Sequence, residues 1–389
     1  MSEAIRIEPD LQFKRELIER GGQTLRQCYQ CGTCTVVCPL SPDRNPFPRK
    51  EVLWAQWGLK ERLLGDPDIW LCHQCNDCSV NCPREASPGD ILALLRQSAI
   101  ERYAVPGALA RWVRDPRMLW ILLLIPAALI LLMVGATGGF GKIAQSDKVD
   151  FNAFFSHWPL VFFFTGFVAL SLLGALAGLR RFWSEMRKQA PPESGQLSAG
   201  AVQGFAGAIR DILSHGQFKK CEATARRYWG HLLMFYGFLG LLVTTSLAAV
   251  FFITGDIVGK ELYPFPLWHP VKILGNVSGL AFIAGWILVS LERIRQTNAT
   301  PLSLYSDWLF LWALFLCVAT GFLAQNARFA NLALTGYSLY YIHLVLVFFL
   351  LVYLPHSKFA HILYRTVAMA YARVSGRENE SANTRIRSL

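Results

Sequence analysis

Six apolar runs, near residues 118–138, 158–179, 230–253, 271–291, 308–324 and 337–355, have about the length that carries a helix across a bilayer. They constrain this 389-residue chain more than any other feature, because lipid offers backbone N–H and C=O groups no partner and a span must satisfy its own as a helix. The 53% hydrophobic content and mean hydropathy of +0.31 agree with a chain that sits partly in lipid. The net charge of +11 does not point to nucleic acid. Residues 1–105 hold 13 Lys and Arg against 14 Asp and Glu, so the basic excess lies among the apolar runs. Six spans return both ends to one side. Arg111, Arg114, Arg117, Arg180, Arg181, Arg226, Arg227, Arg293, Arg295, Lys358 and Arg365 fall on that side, whereas Lys142, Lys148, Lys260 and Arg328 on the other are balanced by Asp147, Asp150, Asp256 and Glu261. This bias predicts a multi-pass protein of the cytoplasmic (inner) membrane with both termini cytoplasmic.

Ahead of the spans, CYQCGTCTVVCP (28–39) and CHQCNDCSVNCP (72–83) repeat one cysteine spacing and use eight of the ten cysteines. In a reducing compartment clustered thiols are metal ligands rather than disulfides. A zinc knuckle pair would use two cysteines from each run and leave the others idle. The C-x2-C-x2-C-x3-C-P spacing instead matches the bacterial ferredoxin pattern, in which three close thiolates hold one [4Fe–4S] cube and the fourth reaches the neighbouring cube. By that rule Cys28, Cys31, Cys34 and Cys82 bind one cluster, and Cys72, Cys75, Cys78 and Cys38 the other. Gly32 permits a tight wrap. Between the runs, Val52, Leu53, Trp57, Leu63 and Leu64 recur at helical spacing. Ser87 and Pro88 then open a second amphipathic helix. The expected fold is all-α: a helical di-cluster ferredoxin domain over residues 1–105, a six-helix transmembrane bundle over 106–365 and a cytoplasmic tail over 366–389. The connection 182–228 reads as polar, with one amphipathic helix and no chemistry.

Histidine at membrane depth points to function, because lipid cannot satisfy its nitrogens. If the last span runs on as one helix, the 18-residue step from His343 to His361 makes five full turns and aims both side chains one way, about 27 Å apart. His356 then points elsewhere. Two histidines on one face, one toward each surface, fit axial ligands of two stacked b haems. His231 opens span three at the level of His361, and His269 precedes span four on the side of His343. The expected pairs are His231/His361 and His269/His343, with His157 the rival of His269. His73 and His215 read as bystanders.

The histidines of span six, 18 apart with LP and S-K before the second, resemble the last helix of the nitrate reductase gamma-subunit type of cytochrome b. That resemblance implies haem-ligand roles for His343, His361 and His231. The family's further ligand would fall at Leu241, a departure that leaves the outer haem to His269 or His157. Taken whole, a di-cluster module fused to such a cytochrome resembles the C-subunit family of quinone-interacting membrane-bound oxidoreductase complexes, a fusion of heterodisulfide-reductase-like C and E parts. The resemblance implies menaquinone as the membrane partner, cytoplasmic flavin and iron–sulfur subunits, and adenylylsulfate reductase downstream. The C-C-G motifs of catalytic heterodisulfide subunits are absent, so no disulfide chemistry is expected on this chain. The function that follows is an electron conduit between a quinol and soluble subunits, with Lys272 as a donor to a quinone carbonyl. The alternative is a membrane anchor that docks a soluble reductase without quinone chemistry. A transporter fits poorly, because the spans lack paired acidic residues and broken halves.

Overall fold

The computed structural model describes residues 8–42, 45–145, 148–155, 157–189, 200–216, 225–260, 262–295 and 302–377. Asp147, Cys221, Glu261, residues 190–199 and 217–224 of the 182–228 connection and the tail from residue 378 lie outside these, as do the side chains of His157 and Arg226. The described residues form helices and no strand. In the amino-terminal part these are α1 (Leu11–Glu19), α2 (Thr33–Val36), α3 (Arg49–Gln56), α4 (Lys60–Leu64), α5 (Asp68–Leu71), α6 (Asp77–Val80), α7 (Pro88–Tyr103) and α8 (Gly107–Arg114). There follow α9 (Leu119–Ala136), α10 (Gly139–Ala144), α11 (Phe151–Phe154), α12 (His157–Lys188), α13 (Ala201–Ser214), α14 (Ala225–Val258), α15 (Pro270–Ile294), α16 (Tyr305–Phe329), α17 (Ala333–Val352) and α18 (Ala360–Val374). Six of these, α9, α12, α14, α15, α16 and α17, are long and apolar enough to cross a membrane.

Local chemistry accounts for several boundaries, and it corrects one sequence expectation. The apolar repeat of residues 52–64 is helical, as its spacing predicts, and Gly58, at φ +70°, divides it into α3 and α4. A Cβ there would lie 2.7 Å from the Asp10 carbonyl, so the turn needs glycine for both its torsion and its clearance. The helix after Pro88 is not amphipathic. Ile91, Leu92, Leu94, Leu95, Ala99 and Ile100 are buried around its circumference, which makes α7 the central post of the cluster domain.

The domain is fused to the bundle by one continuous core. Trp70 stacks on Tyr364 of α18 with centroids 5.2 Å apart, and Phe182 of α12 meets both rings edge-on at 6.3 and 5.5 Å. Tyr103 closes the group against Phe182 at 5.3 Å. Trp70 and Phe182 are fully buried, and burying each large apolar side chain contributes roughly 1.5–3 kcal/mol relative to exposure. The end of α18 is pinned further by Arg377, 3.5 Å from Asp66 and 3.7 Å from Asp68. These carboxylates and Glu51 surround Lys50, whose Nζ lies 2.7–3.1 Å from all three. That acidic group already holds an ammonium.

Within the bundle, α14 and α15 touch backbone to backbone. A Cβ at Gly237 would come within 2.7 Å of Ser278 O and Phe282 N, and one at Gly285 within 2.6 Å of Met234 N. Small residues at such a seam let helices approach where lipid supplies no hydrophobic drive.

The last span departs from the expected continuous helix. α17 ends at Val352, Leu354–His356 make a single 3-10 turn, Ser357 is extended, and α18 starts afresh at Ala360. Pro355 lacks an N–H and its ring would collide with the preceding turn, so the helix stops before it. The five-turn count from His343 to His361 therefore does not set their relative direction.

Candidate cofactor sites

The two cysteine runs fold as copies of one loop. Gln30 and Gly32 in the first, and Gln74 and Asn76 in the second, adopt left-handed conformations with φ of 63°, 88°, 53° and 71°. Asn76 takes the glycine position because Asn tolerates this region better than other side chains do. Such loops turn backbone N–H groups inward as an anion nest. Cys72 Sγ accepts the Gln74 N–H at 3.3 Å, and Cys28 Sγ accepts the Gln30 side-chain amide at 3.4 Å. Cys34 and Cys78 ride on the short helices α2 and α6 that follow each loop.

The fold brings the cysteines together in two groups. Burial pushes the Cys34 thiol up to about 11, with Cys28, Cys31 and Cys82 adding to it through their charge. Burial likewise pushes Cys38 up to about 12, with Cys72 and Cys75 adding. Cys78 is raised by burial and by Cys72, Cys38 and Cys75. Each group thus joins three thiols of one run to the fourth of the other. Crowded, buried thiols resist ionisation unless a cationic centre is shared among them, which is what an iron–sulfur cube supplies. Among the described residues the group with three ligand atoms within 4.8 Å of one another is Glu51, Asp66 and Asp68, not the cysteines. Cys31 is exposed, whereas Cys75 and Cys78 are buried.

Behind the second group lies a cavity of about 250 Å³. Its walls include Cys72, His73 and Gln74 of the cysteine loop, His231 of α14 and His361 of α18. Met234, Phe235, Phe238, Phe282, Leu314 and Phe359 make it apolar toward the bundle, and Arg96, Arg227, Lys358 and Arg365 make its rim beside the cysteine loop cationic. Three of these arginines grip the cysteine loop. Arg227 donates to the Gln74 carbonyl, Arg96 to Ile69 O at 2.9 Å and Gln74 Oε1 at 3.0 Å, and Arg365 to Leu71 O at 3.4 Å. His73 lines both this cavity and the small pocket among Cys38, Cys72, Cys75 and Cys78. It stands in the wall between them.

Hydrogen bonds set the histidine tautomers. His361 Nδ1 faces the Lys358 carbonyl, so it carries the proton and leaves the Nε2 lone pair free. Burial, reinforced by Lys358, pushes its pKa down to about 4, which keeps the ring neutral as iron ligation requires. His343 is held the same way, with Nδ1 2.9 Å from Cys317 O. Gly321 makes room for it: a Cβ there would lie 3.1 Å from the ring. His356 points elsewhere, its Nε2 3.1 Å from Val105 O.

The expected pairing of His269 with His343 finds no support in this geometry. His269 is the N-cap of α15; its Nδ1 accepts from Val271 N–H at 3.3 Å and its ring stacks on Phe265 at 4.1 Å. A neutral ring that accepts at Nδ1 carries its proton on Nε2, the reverse of the ligand tautomer. The depths differ as well, since His343 stands ten residues into α17, about 15 Å from its amino-terminal end, whereas His269 stands at the start of α15. Lys272 sits half-buried in the first turn of α15, one turn from Asn276, which accepts from Gln325 at 3.2 Å.

Sequence reasoning missed the three arginines on the cysteine loop and His215, whose Nε2 lies 3.2 Å from His231 Nδ1. In the sequence Arg227 speaks only for topology, and nothing in the polar connection marks His215.

Residues 24–86 match the family described as 4Fe-4S dicluster domain, and residues 114–383, more than half of the chain, match the family described as Citrate utilization protein B. The chain is 37% identical over 91 residues to the C subunit of the H(2):CoB-CoM heterodisulfide,ferredoxin reductase of Methanothermobacter marburgensis, covering 23% of this chain. It spans about half, 49%, of that relative's length. It is 26% identical over 304 residues to Citrate utilization protein B of Escherichia coli, covering 75% of this chain and 76% of the relative. With the E subunit of the dihydromethanophenazine:CoB--CoM heterodisulfide reductase of Methanosarcina thermophila it shares 22% identity over 206 residues, half of this chain and 74% of that one.

Proposed function

This chain belongs to the citrate utilization protein B family, and from that premise we propose that it is the membrane electron-transfer subunit of a quinone-linked oxidoreductase. It carries electrons between menaquinol in the lipid and soluble flavin and iron–sulfur subunits. One observation carries the reading: Cys72–Gln74 of a cysteine loop and His231 and His361 of two bundle helices face the same 250 Å³ cavity. When bound, two [4Fe–4S] clusters and a b haem supply one-electron carriers. The chain's residues hold and order them. Cys28, Cys31, Cys34 and Cys82 would hold the solvent-facing cluster, Cys38, Cys72, Cys75 and Cys78 the cluster against the cavity, and His231 and His361 would hold the haem iron. Arg96, Arg227 and Arg365 give haem carboxylates a cationic rim and tie that rim to the cysteine loop. Exposed Cys31 marks the side toward the soluble partner.

A second haem would take His343, with a partner from His269 or His157; His269 would have to give up its capping bond to Val271. Lys272 is the proposed donor to a quinone carbonyl. In finer detail, the order of parts, a module like the C component of heterodisulfide reductase ahead of cytochrome-b-like spans, supports the C subunit of a quinone-interacting membrane-bound oxidoreductase complex. Adenylylsulfate reductase is then the downstream partner.

Iron and acid-labile sulfide should each be found at about eight per purified chain. A naphthoquinol added to the purified chain should reduce the haem within the mixing time of a stopped-flow experiment and the clusters after it. Stoichiometric zinc without sulfide would remove the cluster assignment, and cofactors inert to quinol would favour the anchor reading. The orientation, with both termini in the cytoplasm, has its own test. A reporter active only outside the cytoplasm should be silent when fused after residue 200 or at the carboxyl terminus, and active near residue 146. Activity at the carboxyl terminus would refute the orientation.

A further inference from the structure

His215 belongs to the connection between the second and third spans, yet it is only 4% exposed. It ends α13 in the left-handed region, φ 51°, which turns its ring onto α14. There it lies 5.3 Å from the His231 ring and edge-on to Phe235 at 4.9 Å. The Leu213 carbonyl receives two donors, His215 Nδ1 at 3.3 Å and the Tyr236 hydroxyl at 2.5 Å. A carbonyl can only accept, so the proton of the neutral His215 ring is on Nδ1 and its Nε2 is an acceptor. That Nε2 stands 3.2 Å from Nδ1 of His231. His231 must therefore donate from Nδ1, and its lone pair is on Nε2.

We propose that His215 is a positioning residue that fixes the tautomer and direction of His231 as an axial haem ligand. Iron-ligating histidines typically donate their second ring N–H to a fixed acceptor, which orients the ring and raises its basicity. His361 finds that acceptor in its own helix turn, at Lys358 O. His231 finds it in a segment outside the membrane. The acceptor is itself anchored: Asp211 of α13 pairs with Arg373 of α18, and a Cβ at Gly204 would come 2.7 Å from Val374 of the same helix. The connection thus ties the two ligand-bearing helices together, and its position is felt at the iron.

The inference rests on the haem reading of His231 and His361, and the test separates the two. The full chain is purified with haem as wild type, His215→Leu, His215→Gln and His231→Ala. Leucine fills the space without an acceptor; glutamine restores one. Haem affinity in His215→Leu should fall roughly 10–100-fold. Its midpoint potential should rise, because a less basic imidazole stabilises ferric iron less, and its low-spin paramagnetic-resonance signal should shift. His215→Gln should recover all three toward wild type. If His215→Leu does not fold, His215→Asn replaces it, since its amide is too short to reach His231. Wild-type affinity, potential and spectrum in His215→Leu, or in His215→Asn where it stands in, overturn the proposal alone. Loss of haem from a folded His215→Gln as complete as from His231→Ala also overturns it, because His215 would then be a ligand. Wild type that takes up no haem overturns the underlying reading, and this one with it.

Discussion

His361→Ala is expected to remove a low-spin b haem and stop quinol-driven reduction of the clusters, while His356→Ala keeps the haem. The two histidines are five residues apart, and helical phase does not separate them once the last span is broken at Pro355. The tertiary placement does. His361 lines the large cavity with Nδ1 committed to Lys358, whereas His356 does not line that cavity and spends Nε2 on Val105. Removing His356 leaves the Val105 carbonyl without that donor, a cost on the order of 1–3 kcal/mol. It should appear as a lower melting temperature with an unchanged haem spectrum. Pyridine haemochrome and low-spin resonance spectra of both variants decide it. Haem lost from His356→Ala and kept in His361→Ala would transfer the axial role to His356.

The second large effect concerns Cys82. Cys82→Ala should abolish the cluster signal that depends on Cys28, Cys31 and Cys34 and spare the one that depends on its own sequence neighbours. Iron should fall from about eight to about four per chain. Cys38→Ala should do the converse and remove the cluster beside the cavity. The functional consequences differ: without Cys82 the haem-side cluster should still be reduced by quinol while transfer to an external acceptor is lost, and without Cys38 neither cluster should respond. Selective loss of the Cys72, Cys75 and Cys78 signal from Cys82→Ala would mean that each run closes its own cluster.

The two cysteine loops were legible because each depends on short-range geometry. Three thiols at two-residue gaps can face one centre only if the chain wraps tightly, and Gly32 and Asn76 supply the left-handed turns that do it. The six spans were legible for an equally local reason: a helix in lipid must satisfy its own backbone over about 20 residues, and each run declares its length. The pairing of His269 with His343 took depth from loop position, and the structure places His269 as the cap of α15.

What the sequence by itself determined, then, were the elements whose physics is settled within a few turns of chain: the cysteine loops and the spans. Only the tertiary structure decided which side chains from distant elements share a site. Trp70 stacks on Tyr364 from the far end of the chain, Arg227 reaches the carbonyl of Gln74, and His215 Nε2 comes within 3.2 Å of His231 Nδ1. Arginines that satisfy the charge rule for topology also hold a cysteine loop over the cavity, and one hydropathy pattern is compatible with either use. Helix-to-helix placement follows from packing at glycine contacts such as Gly237 and Gly285 and from buried ion pairs such as Lys358 with Asp307, 2.7 Å apart. Those contacts are pairwise and non-local, so no periodicity along the chain encodes them.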